Sequence, residues 1–125
     1  MSVPAAGRPG RRSRVFLAAG DDGYMDVLPG IRRKTLCFGD ATLMSEFRLL
    51  AGSPLPLHSH PQEQTGYLVR GRLRLTIGDE ARDVTPGDSW SIPGGVRHGA
   101  EVLEDAVAIE VFSPVRADYL PGGDA

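Results

Sequence analysis

Cysteine is almost absent from this 125-residue chain. The single Cys37 allows no internal disulfide, which excludes the disulfide-stapled secreted domains and fits a reducing compartment. Long apolar runs are missing as well. No stretch approaches the ~20 residues of a membrane-spanning helix. The longest run near the start, Val15 to Ala19, is shorter than the ~7–15 residues of a signal-peptide core. Arg11-Arg12 ahead of Phe16-Leu17 resembles a twin-arginine leader, but Asp21 and Asp22 follow at once and argue against one. A surplus of one charge is also lacking: 14 Lys+Arg face 16 Asp+Glu, for a net charge of −2. That leaves no global attraction for nucleic acid or anionic membrane. Finally, no window sustains a 3.6-residue period, and no segment repeats. These absences predict a soluble, cytoplasmic single domain that binds neither nucleic acid nor membrane.

What is present is turn chemistry. Sixteen Gly and ten Pro, without a G-X-Y period, punctuate short apolar runs, the pattern of an all-β domain. Residues 1–13 carry Pro, Gly and Arg without periodicity and read as a flexible arm ahead of a single domain over 14–125. Strands are expected at 35–38, 41–50, 65–70, 72–77, 80–84, 89–92 and 106–112. The turns between them fall at Gly39-Asp40, Gly71, Gly78-Asp79 and Pro86-Gly87-Asp88. Leu43, Ser45, Phe47 and Leu49 share one face of their strand, and Leu73, Leu75 and Ile77 alternate with Arg72, Arg74 and Thr76. Turn spacing of about 8–12 residues indicates a sandwich or barrel. Arg32, Arg33 and Lys34 read as a solvated strand edge. Trp90 reads as core.

The chain has three histidines. His58 and His60 are two apart, so on a strand both rings project from one face and can chelate a metal. His-x-His is a weak signal alone, but its surroundings are ordered. Gly52 stands six before His58, Gln64 four after His60 and Gly71 seven after Gln64, and Gly87, Pro93, Gly95 and His98 read G-x5-P-x-G-x2-H. Across 52–98 this resembles the two motifs of the cupin superfamily. Two positions depart: the glutamate of the first motif is Gln64, and the final asparagine of the second is Val102. Glu63, one residue early, faces the other side of its strand and is a poor substitute. The resemblance implies a cupin double-stranded β-helix (jelly-roll) barrel holding a divalent transition metal (Fe, Mn, Ni, Zn or Co) through His58, His60, Gln64 and His98. Such an all-neutral set leaves the ion's full charge to polarise a bound oxygen and favours Lewis-acid chemistry. The alternative is an empty site of hydrogen-bonded histidines.

In 106–112, Val107, Ile109 and Val111 form an aliphatic face assigned to packing. Ala106, Ala108, Glu110 and Phe112 line the opposite, inner face. A carboxylate there requires a partner or a function. Arg116 follows closely, and the bland reading is that Glu110 and Arg116 pair with each other or face water. The stretches 58–74, 87–100 and 109–120 are similar to small bacterial cupins of the pectin-degradation protein family, which open the ring of 4,5-unsaturated uronates. This similarity implies catalytic roles for Glu110, Phe112 and Arg116, with glutamate where that family has aspartate. It also implies a small-molecule substrate and a homodimer. The competing functions are a cupin dioxygenase or cyclase-like accessory enzyme of secondary metabolism, and a non-catalytic small-molecule-binding cupin.

Overall fold

A computed structural model describes residues 13–121. The flexible arm expected over 1–13 lies outside them, except for Ser13, whose backbone N–H donates to Phe38 O at 3.2 Å. Eight strands follow: β1 (Tyr24–Leu28), β2 (Ile31–Phe38), β3 (Leu43–Leu49), β4 (Pro54–His58), β5 (Glu63–Ile77), β6 (Glu80–Val84), β7 (Ser89–Ile92) and β8 (His98–Ser113). A short 3-10 turn, Ala117–Tyr119, comes after them. No helix among the described residues is long and apolar enough to cross a membrane.

Two long strands organise the sheet. β8 pairs with β3, β4 and β5, and β5 pairs with β6, β7 and β8, all antiparallel. The strand path runs β1-β2-β3-β8-β5-β6, with β4 attached to β8 and β7 to β5. The jelly-roll barrel expected from the sequence is therefore not closed. Closure requires the terminal strands to complete a ring of hydrogen bonds, whereas β1 and β6 end the path unpaired with each other. Wrapping is achieved by bending instead. Ile31 of β2 and Val84 of β6, near opposite ends of the path, belong to one core with Leu49, Leu68, Trp90 and Val102.

The bend explains a second difference. Gly71 was expected to separate two strands, but β5 passes through it. The β5–β8 register shifts at three consecutive steps between Leu68 and Leu73. Gly71 takes φ +91°, and a Cβ there would lie 2.2 Å from Asp105 O. Glycine here serves a bulge where two backbones meet. The inner face of β8 is the expected one, but its aliphatic face is less covered than expected. Ala106, Ala108, Glu110 and Phe112 are the buried face, while Val107, Ile109 and Val111 are only half-buried.

Candidate metal centre

His58 closes β4 and His98 opens β8, directly opposite in the ladder. His60 lies beyond the end of β4, so strand alternation is not what orients it. Its backbone is tied instead by Gly95 N–H donating to His60 O at 2.8 Å. The three rings cluster with centroid separations of 4.4 Å (58–98), 4.9 Å (60–98) and 5.9 Å (58–60). Their ligand atoms all lie within 4.8 Å of one another. That is near the spacing at which three imidazole nitrogens share one ion, the metal–imidazole bond being ~2.0–2.1 Å.

The hydrogen bonds select the ligating atoms. Each Nδ1 faces a main-chain carbonyl two residues away: His58 to Pro56 O at 2.9 Å, His60 to Gln62 O at 3.1 Å, His98 to Val96 O at 2.9 Å. A carbonyl only accepts, so Nδ1 carries the proton and Nε2 keeps its lone pair. His98 Nε2 is buried and has no hydrogen-bond partner among the described residues. His60 Nε2 stands 2.9 Å from Gln64 Oε1, another acceptor. A neutral ring has one proton for these two oxygens, so one lone pair must face another. A cation at Nε2 removes that conflict. Burial, and for His60 the positive Arg116, lower the pKa of His60 and His98 and favour the neutral, ligating form. The donor set fits a divalent transition metal.

Gln64 links this cluster to a buried carboxyl group. Its Nε2 donates to Glu110 Oε1 at 2.9 Å, and Trp90 Nε1 donates to the same oxygen at 3.2 Å. Glu110 is buried, and desolvation lifts its pKa to about 8 against the opposing pull of these two donors. Gly66 makes the contact possible, because a Cβ there would fall 2.1 Å from Trp90 Nε1 and 2.4 Å from Glu110 Oε1. Phe112 packs edge-on against His60 at 5.7 Å and against Tyr119 at 5.2 Å. Arg116 binds Asp118 through Nε and NH2, at 3.2 and 2.8 Å, and Tyr119 Oη through NH1 at 3.1 Å. His58, His98, Gln64, Glu110, Trp90, Phe112, Arg116, Asp118 and Tyr119 line one cavity of about 510 Å³.

The Cupin domain family matches residues 45–113 of this chain. The chain belongs to the cupin family. It is 32% identical over 93 residues to the pectin degradation protein KdgF of Dickeya dadantii, covering 73% of this chain and 84% of that protein. The structure of KdgF from a Halomonas species matches with a TM-score of 0.75 and 34% identity, covering 78% of this chain and 92% of that one. An RmlC-like cupin from Shewanella frigidimarina matches with a TM-score of 0.84 and 26% identity, covering 88% and 99%.

In this cupin the structure brings His58, His60, His98 and Gln64 together, and places Glu110, Phe112 and Arg116 at the same cavity. The expected Glu110–Arg116 pair does not form: Glu110 meets Gln64 and Trp90, and Arg116 meets Asp118. Trp90 belongs to the core as expected, yet also holds the carboxyl group. Sequence reasoning missed Gly66, Arg33, Asp118 and Tyr119. Arg33 and Lys34 are buried, not a solvated edge. The inward alternation of Ile31, Arg33 and Thr35 was a usable signal, obscured by the run of three cations.

Proposed function

We propose that this cupin opens and ketonises 4,5-unsaturated uronates, acting as a cytoplasmic homodimer with its domain over residues 14–125. The observation that carries the reading is the chain Trp90–Glu110–Gln64–His60, which joins a buried carboxyl group to the histidine cluster. The likeness to KdgF, a pectin degradation protein, supports the substrate class. A cavity of about 510 Å³ accommodates one sugar acid. His58, His60 and His98 would hold the metal through Nε2 and Gln64 through Oε1. A divalent ion there supplies Lewis-acid polarisation of a substrate oxygen.

The protein's own groups move the proton. Desolvation, which lifts its pKa to about 8, favours the protonated form of Glu110 near neutral pH. Both donors occupy Oε1, which leaves Oε2 for that proton. Glu110 delivers it to C4 of the substrate as the bond between C1 and the ring oxygen breaks. The C4=C5 electrons form the new C–H bond, the ring oxygen becomes the C5 ketone, and the C1 hydroxyl returns its proton to Glu110 as C1 becomes an aldehyde. The reaction is an isomerisation and needs no oxidant. Phe112 walls the ring from water, and Arg116 presents positive charge beside it.

The test follows the loss of unsaturated-uronate absorbance with metal-loaded protein. Glu110→Gln keeps size and hydrogen bonding but removes the transferable proton, so turnover should fall by about 10²–10⁴-fold. Absence of turnover in the wild type rejects the substrate, and unchanged turnover in Glu110→Gln removes that residue from the reaction.

A further inference from the structure

Arg33 is the least compensated charge in the cavity wall. Its side chain is 7% exposed and lines the same cavity as Glu110 and Arg116. Of its five N–H donors, NH1 donates to Thr35 Oγ1 at 3.2 Å and NH2 to the weak acceptor Met25 Sδ at 3.0 Å. Its Nε has no partner among the described residues. The guanidinium lies over the Tyr119 ring at 3.6 Å, beside Arg116 at 4.1 Å from the same ring. Tyr119 is itself fastened to β2 by Thr35 Oγ1, which donates to Tyr119 O.

The nearby acids are otherwise engaged. Asp118 is bound by Arg116, Asp26 pairs with Arg32 at the surface, and Glu110 meets Gln64 and Trp90. Two guanidinium groups thus share one carboxylate. Burying two cations against one carboxylate is costly. Had Arg33 served only to pack Tyr119, an apolar side chain would do so without that cost.

We infer that Arg33 is an acid-selecting residue that receives the carboxylate of a small oxygenated ring in the cavity, its unshared N–H donors supplying the fork. This rests on the proposed uronate chemistry for the substrate class and extends it to a residue on β2. A planar guanidinium suits a carboxylate, and Arg116 already commits its own fork to Asp118.

The experiment titrates metal-loaded protein calorimetrically with D-galacturonate and with D-galactose, which lacks the carboxylate. Wild type should prefer the acid. Arg33→Gln and Arg33→Met should each lose about tenfold or more in galacturonate affinity, with galactose binding unmoved and Tm equal or higher. Arg33→Lys should recover part of the loss. The inference is overturned if wild type shows no preference for the acid, if Arg33→Gln binds galacturonate like wild type, or if the loss falls equally on galactose. Because no turnover is read, failure of the ring-opening reaction leaves this comparison decisive.

Discussion

At the scale of single residues, the site is built by setting lone pairs against one another. Three main-chain carbonyls fix three Nδ1 protons and turn three Nε2 atoms towards one point. His60 should be needed for the ion and dispensable for the fold, because the core of Ile31, Leu68, Ile92 and Val102 does not depend on a metal. Metal-loaded wild type is expected to hold close to one ion per chain. His60→Ala should lose most of it by elemental analysis while keeping a β-type circular dichroism spectrum, and full retention would reject the site. The spacing of three of the ligands was legible in the sequence because it is local: His58 lies two residues before His60 and Gln64 four after it. The surroundings of Arg33 were not. Whether a strand cation faces water depends on what covers it, and the ring that covers Arg33 belongs to Tyr119, far along the chain.

At the scale of elements, β5 and β8 supply Gln64, His98 and the buried carboxyl group, while His58 and His60 come from β4 and the segment after it. Gln64 comes from the start of β5, and His98 and Glu110 from the two ends of β8. Pairing over this length joins Gln64 to Phe112 and Ile77 to His98 in one ladder. The ladder survives only through the bulge at Gly71. Gly71→Ala would force a side chain to φ +91° and into Asp105 O. Such strain costs ~1–3 kcal/mol before the displaced backbone is counted. Chemical denaturation should show a loss of at least about that size, while Gly52→Ala, where a Cβ meets nothing within 4 Å, should show only the smaller cost of its own positive φ. Equal losses would mean that close approach is not the constraint at Gly71. Glycine in a sequence signals freedom without saying how the fold uses it, so a bulge inside one strand reads like a turn between two. β1 escaped detection for the converse reason: Tyr24–Leu28 has no buried face and so no alternation to find.

At the scale of the whole molecule, the open strand path leaves an apolar surface. The outer face of the β3–β8–β5 region carries Val107, Ile109 and Val111, with Met44 40%, Tyr67 50% and Val69 48% exposed beside them. Met44 and Thr65 flank Val111 in the ladder, and Arg48 and Arg70 flank Val107. The aliphatic face assigned to packing is therefore half-open in the single chain, and the proposed homodimer gives it something to pack against. A standard interface buries ~800 Å² per partner and excludes unpaired charge from its centre, so two lysines on each side would lose their hydration without a counter-ion and oppose the contact. Met44→Lys combined with Val69→Lys should shift the sedimenting mass from dimer to monomer. Both side chains face away from the cavity, so metal content should not change. A wild type that sediments as a monomer at micromolar concentration would reject the dimer. A double variant that remains dimeric would move the interface elsewhere on the molecule.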